Sequence, residues 1–198
     1  QVTKSYRLQS SGALACVIAS ALVRKGDAVV VTPTVSRLCV RYLVSLGAKV
    51  CLSRIGHTNV SQTLHEKRGV FALERSGHYY FRDFFFEDSA DVAAVIALSV
   101  ISRAKNSVSQ LVKQFTPDFD IEDKMPCKDA QRLVATLANL APESAQCTLD
   151  GIRLDWPDGW LLARPSNTEP VVRYYAEADT KRALDRMMRL LRKAAGKS

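Results

Sequence analysis

Two periods alternate along the chain. Leu14, Val17, Ile18, Ala21 and Leu22 recur at helical spacing, so residues 11–25 read as a helix with one apolar face, stopped by Gly26-Asp27. Ala28-Val29-Val30-Val31-Thr32 is a β-branched run of the kind that forms a buried strand. Thr34 or Ser36 can cap the next helix, which carries Leu38, Tyr42, Leu43 and Leu46 and ends at Gly47. Residues 49–53 form another strand. A strand–helix–strand rhythm of about 25 residues implies parallel strands joined by a right-handed crossover. Gly56-His57-Thr58-Asn59 reads as a polar turn leading into a short polar helix that ends at Arg68, and residues 70–73 as a third strand. A loop, Glu74-Arg75-Ser76-Gly77-His78, leads to the aromatic stretch 79–86 (YYFRDFFF), read as core strand. Asp88 or Ser89 caps a long helix over 90–105, and a shorter helix covers 107–115.

Thr116-Pro117-Asp118 has the composition of a linker. Beyond it lie a short strand, a helix over 128–140, strands near 151–156 and 159–163, a polar loop, a strand over 171–177 and a final helix. That helix sets Leu184, Met187, Met188, Leu191 and Ala195 against Lys181, Arg182, Arg186, Arg189, Arg192, Lys193 and Lys197. The pattern is that of an amphipathic helix on a sheet, its basic face solvated. The expected architecture is an α/β mixed-sheet domain over residues 1–115, followed by a smaller α+β domain over 116–198 with an antiparallel sheet packed by helices.

Composition narrows the class. With 47% hydrophobic and 24% charged residues among 198, the chain is of ordinary globular type. No apolar stretch reaches the ~18 residues that span a bilayer. The first residue, Gln1, implies a start inside a larger protein or one left by processing. Cys16, Cys39, Cys51, Cys127 and Cys147 form no C-x-x-C pair, so reduced, mostly buried thiols and a cytoplasmic setting are expected, with no zinc site. The formal net charge of +8 suggests an anionic partner without choosing among nucleic acid, membrane surface and small phosphorylated ligand.

Three segments could carry chemistry. In Arg164-Pro165-Ser166-Asn167-Thr168-Glu169-Pro170, with Arg173 beyond, guanidinium forks match phosphate oxygens and consecutive short donors can form an anion nest. By composition alone an ordinary turn with two surface arginines fits as well. Glu74-x-Ser76-Gly77-His78 places a carboxylate, a hydroxyl and an imidazole within five residues, a set suited to sugar hydroxyls and proton transfer, or an ordinary loop. Gly56-His57-Thr58-Asn59 reads first as a plain turn. The aromatics of 79–86 lack the interleaved basic residues of a nucleic-acid stripe, having only Arg82. Asp83, Glu87, Asp88 and Asp91 do not have the spacing of a metal loop.

Together, RIGHTNV (54–60), ERSGHYYFRDFFFEDS (74–89) and RPSNTEPVVRYYAEA (164–178) resemble the α-D-phosphohexomutase superfamily, in particular its phosphomannomutase/phosphoglucomutase branch. The resemblance covers the third and fourth domains of a four-domain enzyme. It implies interconversion of hexose 1-phosphate and 6-phosphate through a phosphoserine. It also implies Mg2+ in the complete protein, whose ligands and serine lie in domains this chain lacks, and none bound by this part. Arg164, Ser166, Asn167, Thr168 and Arg173 would hold the non-reacting phosphate, Glu74, Ser76 and His57 the sugar, and His78 the transferring proton. The implied partners are a mannose or glucose phosphate and the N-terminal domains, with no membrane and no nucleic acid. Relatives acting on glucosamine phosphate usually carry glycine where Asn167 stands. The sequence departs from the family at Ala72-Leu73 (commonly Gly-Gly), Ser61 (often Lys) and Ala90 (often Gly). Those departures leave a non-catalytic binding or regulatory module on the same scaffold as the alternative, with the basic final helix taking a polyanion.

Overall fold

A computed structural model describes residues 11–166 and 168–196. Asn167 and Lys197 therefore lie outside the described residues. Two compact units meet in sequence between Thr116 and Pro117.

The first unit runs α1 (Ser11–Leu22), β1 (Ala28–Val31), α2 (Arg37–Ser45), β2 (Lys49–Leu52), α3 (His57–Glu66), β3 (Phe71–Leu73), β4 (Tyr79–Phe81), β5 (Glu87–Asp88), α4 (Ala90–Arg103) and α5 (Val108–Lys113). Its strands order β2-β1-β3-β4-β5. β1 is parallel to both β2 and β3, and the β3–β4 and β4–β5 pairs are antiparallel, so the sheet is mixed. Period-2 alternation sorts the core into two faces. Val29, Val31, Phe71, Leu73, Tyr79 and Phe81 point to the side packed with α1, α2 and α4. Val30, Ala72 and Tyr80 point to the other side, against Val60 and Leu64 of α3.

Local chemistry fixes the helix starts. The Ser36 and Ser89 hydroxyls accept from Leu38 N and Val92 N, capping α2 and α4, while Asp88 serves β5 instead. α1 ends at Leu22 and is buried on more than one side, including Ala13, Ala15, Cys16 and Ala19, because α2, α4, α5 and β3 all touch it. The aromatic stretch is not one strand. β4 stops at Phe81, and the chain turns through Phe85 and Phe86 at φ 57° and 62°, leaving Phe84 and Phe85 exposed. Ala72 and Leu73 are fully buried in β3 and Ala90 is the first helical residue of α4, so neither site calls for glycine's freedom.

The second unit runs β6 (Phe119–Pro126), α6 (Ala130–Leu140), β7 (Ala145–Cys147), β8 (Ile152–Trp156), β9 (Gly159–Pro165), β10 (Val171–Ala178) and α7 (Lys181–Ala194). The strand order is β6-β10-β9-β8-β7, with every pairing antiparallel. β6 is eight residues long rather than short, and β7 is an edge strand that the apolar pattern misses, since Ala145, Gln146 and Cys147 carry no buried face. α6 and α7 cover one sheet face through Leu133, Leu137, Leu184, Met187 and Leu191, packed on Ile152, Leu154, Leu161, Val172 and Ala176. The second face carries Trp160, Leu162 and Tyr175. Both packed units match the expected α/β and α+β classes. All five cysteines are free thiols. Only Cys16 and Cys39 are fully buried, as the other three lie on edge strands or at element ends. No helix among the described residues is long and apolar enough to cross a membrane.

Candidate functional site

The first group forms where the strand order reverses. β1 lies between β2 and β3, with α2 on one face of the sheet and α3 on the other, and Glu74 follows the carboxyl end of β3. Open α/β sheets bind ligands at such a switch point. Glu74 and His78 close a tight turn between β3 and β4, with Glu74 N–H donating to His78 O at 3.0 Å and Gly77 N–H to Glu74 O at 3.1 Å. Gly77 holds φ 92°, which lets this turn close.

Glu74 is buried, 6% exposed, and braced at both oxygens. Its Oε1 accepts from Gly56 N–H at 3.2 Å and its Oε2 from the Tyr80 hydroxyl at 2.8 Å. A buried carboxylate needs such donors. Each oxygen keeps a further lone pair for a ligand hydroxyl. Burial, then the bond to Glu74 and the charges of Glu74, Asp88 and Glu87, push the Tyr80 phenol far above its usual range, so Tyr80 stays a donor. The half-exposed His78 lies beside them. Ser76 Oγ is 2.7 Å from His78 Nδ1, which itself is 4.0 Å from Glu74 Oε2. When Ser76 donates to Nδ1, neutral His78 carries its proton on Nε2.

His57 is not in a turn. It is the first residue of α3, capped by Gly56 at φ 118°. Its ring lies 5.4 Å from that of Tyr80. Both ring nitrogens face carboxylates, Nε2 to Glu87 Oε2 at 2.8 Å and Nδ1 to Asp88 Oδ1 at 3.2 Å. The ring can donate to both only when both nitrogens carry hydrogen. Ser61 Oγ also donates to Glu87, at 3.1 Å. Ligand atoms of His57, Glu87 and Asp88 lie within 4.8 Å of one another, the one such group among the described residues. One imidazole with two carboxylates suits a transition ion better than Mg2+, which prefers oxygen ligands alone.

Linear spacing conceals this gathering. β4 pairs Ala72 with Tyr80, and β5 pairs Tyr80 with Asp88, in one cross-strand row on the α3 face. Period-2 alternation through 72, 74, 78 and 80 is the sequence signal that could have placed Tyr80 beside Glu74. Asp88 needed the strand pairing.

The second group belongs to the other unit. Arg164 lies next to the last residue of β9 and Arg173 lies in β10, directly opposite each other across the ladder. Like charges so placed repel. Each guanidinium has a carboxylate nearby, with Arg164 Nε 3.5 Å from Asp150 Oδ1 and Arg173 Nη2 3.8 Å from Glu169 Oε2. Lys124 Nζ donates to both Glu169 oxygens, at 3.2 and 3.1 Å. The joining loop is tied at its base by Ser166 N–H to Val171 O, 3.0 Å, and Val171 N–H to Glu169 O, 2.8 Å. The Ser166 and Thr168 hydroxyls lie 3.5 Å apart on the loop. The loop thus presents hydroxyls between two arginines, a set that can bind an oxyanion. Asp150 is a member that composition did not reveal.

Two family descriptions match the chain. "Phosphoglucomutase/phosphomannomutase, alpha/beta/alpha domain III" matches residues 10–119, and "Phosphoglucomutase/phosphomannomutase, C-terminal domain" matches 122–194. The chain is 32% identical over 167 residues to a phosphomannomutase/phosphoglucomutase of Pseudomonas aeruginosa, covering 78% of this chain and 35% of that protein. It is 30% identical over 154 residues to a probable phosphoglucosamine mutase of Pyrococcus horikoshii, covering 75% and 34%. The chain therefore spans about a third of the length of such relatives. Among solved structures, a phosphoglucomutase/phosphomannomutase family protein of Burkholderia thailandensis superposes with a TM-score of 0.75 at 26% identity, covering 93% of this chain and 41% of that one. An N-acetylphosphoglucosamine mutase of Aspergillus fumigatus, solved with glucose 1,6-bisphosphate, shares the fold with a TM-score of 0.67 at 13% identity. With both units matched in order, the chain belongs to the phosphoglucomutase/phosphomannomutase family, of which it carries the third and C-terminal domains.

Proposed function

We propose that this chain supplies the sugar-reading and phosphate-anchoring half of a phosphohexomutase that interconverts a hexose 1-phosphate and a hexose 6-phosphate. The observation that carries the proposal is the pair Arg164 and Arg173, opposed across β9 and β10 at the foot of the hydroxyl-bearing loop. A phosphate dianion between them would relieve their repulsion and accept from both forks. Ser166, Asn167 and Thr168 complete the anchor for the phosphate that does not react. Glu74 and Ser76 read the sugar hydroxyls, with Tyr80 and Gly56 N–H holding the carboxylate in place. His78 moves the proton at the reacting hydroxyl, its ring set by Ser76. The family resemblance implies a sugar contact for His57. The clamp by Glu87 and Asp88 favours a role in shaping the wall beside Tyr80, with a sugar contact only if one nitrogen changes partner.

The phosphoserine and the Mg2+ that neutralises charge on the transferred phosphoryl group belong, on this reading, to the rest of the complete protein. Mannose and glucose phosphates are the favoured substrates, on the ground of Asn167. The relatives named above include both a phosphomannomutase/phosphoglucomutase and a probable phosphoglucosamine mutase. Free thiols accord with a cytoplasmic setting.

NMR titration of the chain with mannose 6-phosphate tests the reading. Saturable shifts are expected at 74–78 and 164–173, with millimolar or weaker affinity. Arg164→Ala should weaken binding about tenfold or more, since it removes a charge-assisted fork. The reading fails if no saturable shift occurs, or if Arg164→Ala binds as tightly as the unaltered chain. A second reading, a non-catalytic polyanion binder, draws on the α7 stripe of Arg182, Arg186, Arg189 and Lys193, although Asp158 already pairs with Arg186 at 2.7 Å. It requires nucleic-acid affinity that falls steeply with salt. A flat salt titration removes it.

A further inference from the structure

We infer that Lys124 is a third phosphate-binding cation of this site and that Glu169 is its internal counter-ion. This rests on the anchor reading above and extends it to a strand distant in sequence. β10 pairs with β9 on one side and β6 on the other. Its Arg173 is the register partner of Arg164 and also of Lys124. Residues directly opposite in an antiparallel sheet project from the same face. Lys124, Arg173 and Arg164 thus form one row of three cations across three strands, at the end of the sheet where the loop joins β9 to β10. The face is the one that α6 and α7 leave free. Phe119, Ile121 and Met125 of β6 join the helix-side core, so Lys124 projects to the other side.

A row of three like charges raises the free energy of the ladder unless anions lie along it. Among the described residues a carboxylate lies at each end. Asp150 faces Arg164, while Glu169, from the loop itself, takes Lys124 at 3.1 Å and lies 3.8 Å from Arg173. Glu169 is 42% exposed at its side chain and hangs from a loop, so it can swing away at little cost. It brings a single carboxylate to two cations. A phosphate dianion brings twice the charge and three oxygens to the same two cations and to Arg164. Phosphate therefore competes with Glu169 for Lys124 and Arg173, and its binding should displace the carboxylate. Lys124 is invisible to the sequence motif because it lies 40 residues upstream of Arg164, in a strand whose charged positions look like ordinary solvent-facing ones.

Isothermal titration of the chain with inorganic phosphate at low ionic strength, then with mannose 6-phosphate, tests this. Lys124→Gln should weaken phosphate binding about five- to tenfold, the scale of one charge-assisted bond at a half-exposed site. Lys124→Arg should restore most of it. Glu169→Gln should tighten binding roughly twofold or more, because the competing charge is gone. Both positions, Lys124 and Glu169, are solvent-facing, and circular dichroism checks that each variant is folded. If Arg164→Ala loses binding while Lys124→Gln stays within twofold of the unaltered chain, Lys124 is only a surface partner of Glu169. In that case the inference falls and the anchor stands. If Glu169→Gln weakens binding, Glu169 positions the loop and is not a competing counter-ion. Absence of saturable phosphate binding by the unaltered chain overturns both readings.

Discussion

Gly151 shows how closely single residues are fitted around the phosphate loop. It holds φ 81° in the turn after Asp150, and a Cβ there would lie 2.3 Å from Ala163 O and 2.8 Å from Arg164 Cα. Those neighbours are backbone of β9 and cannot step aside. Gly151→Ala should therefore destabilise the second unit by about 2–4 kcal/mol, combining left-handed strain with overpacking. It should also loosen Asp150 from Arg164. Gly26 makes a fair control, since it has a comparable φ of 93° and nothing within 4 Å of its would-be Cβ. Gly26→Ala should lose only about 1 kcal/mol, the strain alone. Both tryptophans, Trp156 and Trp160, lie in the second unit, so tryptophan fluorescence in urea reads the Gly151 effect, while far-ultraviolet circular dichroism in urea reads the Gly26 effect in the first unit. Equal losses at the two glycines would show that the steric argument is mistaken.

Among the elements, the hairpin from β4 to β5 carries the clearest local conflict. Phe85 and Phe86 both occupy the left-handed region, which bulky residues avoid. Phe86 has compensation, as its ring meets His65 edge-on at 4.8 Å and packs on the α3-side core. Phe85 is 84% exposed and touches chiefly Phe84. Phe85→Gly should consequently raise stability by about 0.5–1 kcal/mol, the relief of left-handed strain less glycine's added chain entropy. Thermal unfolding followed by far-ultraviolet circular dichroism measures it. A lowered midpoint would mean that the exposed ring holds the turn, and with it the Glu87-Asp88 clamp on His57.

For the whole molecule, pH dependence follows from buried tyrosines. Burial pushes the Tyr79 phenol well above its ordinary value of 10, with smaller contributions from Cys39 and Cys16. Tyr80 shifts the same way through burial, its bond to Glu74 and nearby carboxylates. Above pH 10 the unfolded chain releases phenol protons that the folded chain keeps. The stability from these two groups is thus complete below about pH 10 and declines as pH rises past it, by about 1.4 kcal/mol per pH unit for each tyrosine. Urea midpoints between pH 8 and 11.5 should begin to fall near pH 9, where the buried Cys16 thiol, also shifted upward by its bond to Cys39 and by burial, adds its share, and fall more steeply past pH 10. Tyr79→Phe should remove one share of the slope, and an unchanged slope would refute the assignment.

How much of this the sequence determined is clear from particular positions. Short-range chemistry was legible. β-branched runs marked β1, serines marked the caps of α2 and α4, and the amphipathic spacing of α7 marked the face it buries. The motif residues Glu74, Ser76, His78, Arg164 and Arg173 were legible as chemical types. Their working partners were not. Tyr80 looked like core and Asp88 like a helix cap, and no motif singled out Lys124 or Asp150. Strand register brought Tyr80 to Glu74 and Lys124 to Arg173, and the packing of α3 on the sheet brought His57 to Asp88. The exposed Phe85 was also hidden, because a run of aromatics carries no mark of where a strand ends and a strained turn begins. Periodicity reports which way a side chain points along its own element. Which distant side chain shares that face is decided only when strands pair, and in this chain that pairing builds both candidate sites.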